Sequence, residues 1–183
     1  MAVLPFQTLD YLVPNSHCLF SRRAGEYRNL ILAGLAFSLL GDVCLMLPNE
    51  KFVGGLFSFL LAHLSYSLAF WQQNDAAIML WLPFLIAAVA IIIFLLLLPN
   101  LGKLLVPIGL YIAVISQMAW ASGQVWLGSQ TEAAGLAFSG ALLFVFSDAF
   151  LAFNKFKGPF RSSTLMVMGS YFLAQALITA SVL

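Results

Sequence analysis

Asp42 and Asp148 are the residues of this 183-residue chain best suited to chemistry, because each lies well inside a long apolar run, "SLLGDVCLMLP" (38–48) and "GALLFVFSDAFLAFNKF" (140–156). A carboxylate in hydrocarbon costs about 2.5 to 3.5 kcal/mol on insertion scales, so such a group faces a bundle interior, a cavity or a partner. Two carboxyls that share one low-dielectric pocket cannot both stay ionised, and one then holds a proton at neutral pH. A neutral acid beside a charged one can protonate a substrate and stabilise the resulting cation, as carboxyl pairs do around oxocarbenium-like states in glycosidases.

Few other polar residues lie at membrane depth. His63 and Tyr66 stand at i and i+3 on one predicted helix, Tyr171 and Gln175 at i and i+4 on another, Tyr111 and Gln117 share a third, and Ser147 directly precedes Asp148. Gly34 with Ser38, and Gly135 with Ser139, are small enough to let neighbouring helices approach closely. We expect these side chains to line one polar pocket with the two aspartates. A zinc hydrolase site normally uses three protein ligands, and with two histidines in the chain, His17 and His63, a metal is disfavoured. There is no Gly-x-Ser-x-Gly elbow or Gly-rich phosphate loop, and no organic cofactor is expected.

The elements that position these residues follow from composition. With 62% hydrophobic and 8% charged residues, the chain cannot build a water-facing surface, so it is a membrane protein. Counted against the roughly 20 residues that cross about 30 Å of hydrocarbon, six helical spans are predicted, at 29–47, 52–71, 76–98, 103–121, 131–153 and 163–183. The run "AAVAIIIFLLLL" (87–98) lacks the alternation of a membrane barrel strand. An all-α polytopic bundle over 29–183 follows, preceded by a weaker segment, 1–28, that reads as interfacial or as a partial span. A net charge of +1 gives no field for nucleic acid. If the spans alternate, Lys51, Lys103, Lys155, Lys157 and Arg161 share one side and Arg22, Arg23 and Arg28 the other, which favours the first side as cytoplasmic.

The two aspartates also sit in similar surroundings. "GLAFS" occurs at 34–38 and at 135–139, each followed by a small residue, an aspartate and a leucine three further on (Gly41, Asp42, Leu45; Ser147, Asp148, Leu151). The next span carries "SYSLA" (65–69) in one case and "SYFLA" (170–174) in the other. The hairpins 34–71 and 135–176 therefore read as copies of one unit in parallel orientation, which places equivalent residues at equal depth. Both aspartates are expected about five residues, roughly 7 to 8 Å, before their spans end.

With "FLLAHLSYSLAF" (59–70) and "SYFLAQALI" (170–178), these aspartate motifs resemble the YhhN-like lysoplasmalogenase family over about 29–183. The resemblance implies an integral membrane hydrolase that cleaves the vinyl ether bond of lysoplasmalogens, releasing a fatty aldehyde and a glycerophospho-base, with a lysophospholipid as its partner. Asp42, His63, Tyr66, Ser147, Asp148, Tyr171 and Gln175 match residues of the family's motifs. Family members usually have eight spans and a Lys-Pro near the start of the second, whereas "LPFQTLDYLVP" (4–14) stands in that region here without the lysine. Vinyl ethers hydrolyse by slow protonation of the β-carbon, so Asp148 is expected as general acid and Asp42 as the anion, the reverse assignment staying open. His63 and Tyr66 would orient a carboxyl or the water. Rival readings are a proton-coupled transporter that relays protons through the same aspartates, and a structural membrane protein in which they tie helices together.

Overall fold

A computed structural model of the chain describes residues 12–47, 51–158 and 162–183, with side chains from Arg23 onward. Its elements are α1 (Leu12–Met46), α2 (Phe52–Gln72), α3 (Trp81–Leu101), a 3₁₀ turn (Gly102–Leu104), α4 (Leu105–Ser129), α5 (Glu132–Lys157) and α6 (Ser163–Ala180). Among the described residues the structure is all helical, and the chain is a multi-pass integral membrane protein.

Five helical stretches, not the six expected, are long and apolar enough to cross a bilayer. Two expected spans are continuous in Trp81–Ser129, a 49-residue helical stretch that the polar residues Asn100 and Lys103 do not interrupt. Pro99 lies in the last turn of α3, and Gly102 at φ 49° takes a backbone conformation that favours glycine; together they fold the stretch back on itself. Space at Gly123 is bounded by Leu82, and space at Gly109 by Phe94, so α3 and α4 run antiparallel. At the front of the chain α1 starts at Leu12 and passes through position 28 without a break, its apolar window being Arg23–Met46. The expectation for residues 1–11 lies outside the described residues.

The helices pack in the order α1, α2, α4, α5, α6, with α6 returning to α1, and α3 covers α4 and α5. Tyr66, Phe70, Met118, Phe144 and Ile178 are buried inside this ring, while Phe84, Leu165 and Phe172 face outward. Lipid tails are as apolar as leucine, so hydrophobicity alone does not draw such helices together; close packing and polar ties do. A Cβ on Gly34 would stand 2.3 Å from the Tyr66 ring and one on Gly41 2.7 Å from Phe59, so only glycine admits α2 this close to α1. Ser58 adds a tie by donating to the Phe37 carbonyl at 2.7 Å.

The α5–α6 hairpin uses the same devices at positions the repeated pentapeptide did not indicate. Gly135 lies beside Trp126 of α4, and Ser139 is exposed. Gly140 meets α6 instead, where a Cβ would stand 2.9 Å from the Ala174 carbonyl. Registered on the aspartates, Gly34 is matched by Gly140 and Gly41 by Ser147, so the pentapeptides are out of register with the packing.

Candidate active site

Asp148 projects from α5 toward α2 and α4. Tyr111 of α4 donates its hydroxyl hydrogen to Asp148 Oδ2. His63 of α2, fully buried, places Nε2 2.9 Å from the Tyr111 oxygen and 3.1 Å from the same Oδ2. Because Tyr111 spends its hydrogen on the carboxylate, the imidazole must supply the hydrogen between them, which fixes the tautomer with hydrogen on Nε2. Nδ1 is buried and has no polar partner among the described residues, which fits that tautomer. Oδ2 thus accepts from two donors, whereas Oδ1 has no partner among the described residues.

Asp42 belongs to a second cluster. Tyr171 of α6 donates to Asp42 Oδ2 at 2.7 Å, the Gln175 amide donates to the Tyr171 oxygen at 3.2 Å, and Tyr66 donates to Gln175 Oε1 at 2.8 Å. Every hydroxyl in this chain hands its hydrogen toward the carboxylate, an arrangement that stabilises negative charge on Asp42. The aspartate of the first hairpin is thus held by the tyrosine of the second. The reciprocal pair is not made, because Tyr66 turns to Gln175 while His63, one helical turn earlier, takes Asp148.

Aromatic rings separate the clusters. Phe144 stands edge-on between His63, at 4.9 Å, and Tyr171, at 5.4 Å. Phe59 packs edge-on to Tyr171 at 6.0 Å and also lines a cavity of about 320 Å³ between α2, α3, α4 and α5. The polar residues lining that cavity are Asp148, Tyr111 and Ser116; the rest of its wall is aliphatic and aromatic, and includes Leu45 of α1 but not Asp42. The expected single pocket is therefore two adjoining clusters, and only that of Asp148 opens into the cavity.

The remaining expected residues take other places. Ser147 is buried and donates to the Val167 carbonyl at 3.0 Å, tying α5 to α6. Gln117 accepts a hydrogen bond from Ser67. Asp42 stands four residues before the end of α1, but α5 runs nine residues past Asp148 to Lys157, about 13 Å, so the two depths below their helix ends differ. At this end of the bundle Lys155 lies 5.3 Å over the ring of Phe52, which lines the cavity. Phe59 and Phe144 do not stand out in the sequence, where an aromatic residue in an apolar helix gives no sign of the face it occupies.

The YhhN family profile matches residues 5–182. The chain belongs to the YhhN family. It is 35% identical to the human protein named lysoplasmalogenase TMEM86A, over 82% of this chain and 64% of that one. To lysoplasmalogenase TMEM86B of Sus scrofa it is 35% identical, over 86% of this chain and 65% of the relative. The membrane protein YhhN of Escherichia coli O6:H1 is 29% identical over 83% of this chain and 73% of its own. The chain thus spans somewhat less than two thirds of the length of its named lysoplasmalogenase relatives. No solved structure matches it.

Proposed function

We propose that this YhhN-family chain hydrolyses the vinyl ether bond of lysoplasmalogens, with Asp148 as general acid. The observation that carries the reading is Asp148 at the wall of an apolar cavity, one oxygen fixed by two donors and the other without a partner among the described residues. The names of the TMEM86 relatives supply the substrate class, and a single-chain lipid suits a cavity lined largely by hydrocarbon side chains.

In this reading the protonated form of Asp148 reacts, with its proton on Oδ1. The proton passes to the β-carbon of the vinyl ether, the carbon–carbon double bond becomes single, and the positive charge is shared by the α-carbon and the ether oxygen. Tyr111 and His63 stabilise the carboxylate left behind, because bonds to an ionised acceptor are about twice as strong as neutral ones. Asp42, which accepts from Tyr171, offsets the cation electrostatically from the adjoining cluster when it carries its charge. Water adds to the α-carbon and returns a proton to Asp148, and the hemiacetal collapses to fatty aldehyde and glycerophospho-base. The lysines at the near end of the bundle, Lys155 above Phe52 among them, face the phosphate of the headgroup.

A proton-coupled transporter would need a polar route leading on from Asp148, and what supports a hydrolase instead is the cavity wall beyond it, where Ser116 is the one polar residue lining the cavity among the described residues. The test is product analysis with purified protein and a lysoplasmenylethanolamine. Stoichiometric fatty aldehyde and glycerophosphoethanolamine are expected, and intact substrate after prolonged incubation with folded protein would overturn the assignment.

A further inference from the structure

The cavity is lopsided about Asp148. On α5 its wall reaches one turn past Asp148 to Ala152 on the lysine side, and back to Phe138 on the other. Ten positions separate Asp148 from Phe138, about 15 Å of helix. An extended chain advances about 1.2 Å per bond, since three backbone bonds span roughly 3.6 Å, so the long arm holds about a dozen bonds.

Two side chains bound the far end of that arm. Leu82 of α3 and Phe138 of α5 converge over α4 at Gly123, where a Cβ would stand 2.8 Å from Phe138 Cε2 and 3.0 Å from Leu82 Cδ2. Phe138 is stacked on Trp126, ring centroids 5.4 Å apart and 16° from parallel. Leu82 is fixed from the loop side, because the buried Gln124 amide donates to the Ala77 carbonyl at 2.7 Å and its oxygen accepts from Met79 N at 3.0 Å.

We propose that Phe138 and Leu82, meeting over Gly123, form the floor of a tail slot that selects the hydrocarbon chain length of the lipid whose reacting bond sits at Asp148, favouring chains of about 12 to 14 carbons. This rests on the lipid-substrate reading above. A tail leaving a bilayer gains no hydrophobic energy on entering an equally apolar slot, so the preference arises from fit. Shorter tails leave the end unfilled, and longer ones strike the floor.

The test uses the full chain in nanodiscs and saturated 1-O-alkyl lysophosphoethanolamines of about ten to about eighteen carbons. These lack the vinyl group and cannot be turned over, so their binding reports the slot alone. Wild type is expected to bind best near 12 to 14 carbons, several-fold above either extreme. Phe138→Ala, which removes the ring in front of Trp126, is expected to move the optimum at least two carbons longer, and Gly123→Ala, which pushes both floor residues into the slot, to move it shorter. Phe84→Ala, on the outward face of α3, is the control and is expected to leave the optimum in place.

An optimum that stays put in both floor variants, or wild-type affinity that rises without a maximum through the longest chain, would overturn the slot. A shifting optimum without aldehyde release would leave the slot standing and remove the hydrolase. Aldehyde release with no dependence on chain length would do the reverse.

Discussion

Tyr111 is placed so that removing one oxygen separates positioning from chemistry. Tyr111→Phe keeps the ring that packs on His63 but takes one of two donors from Asp148 Oδ2 and leaves His63 Nε2 to the carboxylate alone. The rate of aldehyde release is expected to fall about 10- to 100-fold with little change in KM, because the lost bond strengthens as the acid ionises in the transition state. Asp148→Asn, which cannot donate an acidic proton, is expected to lose about 10²- to 10⁴-fold. Tyr171→Phe removes one hydrogen bond from Asp42 and is expected to lose less than Asp42→Asn does, both read in the same assay. A Tyr111→Phe enzyme as active as wild type would remove the tyrosine from the acid's support. The aspartates were legible in the sequence because a carboxyl in an apolar run has few explanations. Their division into two clusters was not, since it depends on Phe59 and Phe144, whose hydrophobicity says nothing about which rings come between them.

Among the elements, the α1–α2 contact depends on a glycine. Gly34→Ala is expected to destabilise the protein by about 1 to 3 kcal/mol, because the new methyl group meets a fully buried Tyr66 ring that has little room to move. Gly169→Ala, with nothing within 4 Å of a new Cβ, is expected to be neutral or to stabilise α6 by up to about 1 kcal/mol. Thermal unfolding in one detergent checks the pair, and equal shifts would contradict the packing described. The hairpins were legible from their shared aspartate and tyrosine motifs. Their register was not, because "GLAFS" matches in letters at positions that do not match in packing, and the functional equivalent of Gly34 is Gly140. Ser147 shows a related limit: its place beside Asp148 suggested a pocket residue, but on a helix adjacent positions point about 100° apart, and its hydroxyl meets α6.

At the scale of the whole molecule, the helical stretch Trp81–Ser129 decides the topology. Because it folds back at Gly102, the loops around Asp75 and Gln130 lie at one end of the bundle and Lys51 and Lys103 at the other. The exposed Arg23–Asp75 pair, 3.1 Å apart, already joins the start of the apolar window of α1 to the loop after α2. Single cysteines introduced at 75 and 130 are expected to react together with a membrane-impermeant thiol reagent from one side, and a cysteine at 103 from the other. Labelling of 75 and 130 from opposite sides would contradict the hairpin. Composition alone made the membrane class legible, and Pro99, Asn100 and Lys103 marked the joint between α3 and α4, but not that the helical stretch runs through it as one.

The claim on which the account rests is that protonation of carbon by Asp148 starts the reaction, and hydrolysis in D₂O tests it most directly. With the aldehyde trapped by reduction as it forms, the account predicts one deuteron on the carbon next to the former carbonyl in the wild-type product, and loss of that product in Asp148→Asn. Aldehyde carrying no deuterium at that carbon, or wild-type turnover by the Asp148→Asn protein, would contradict it.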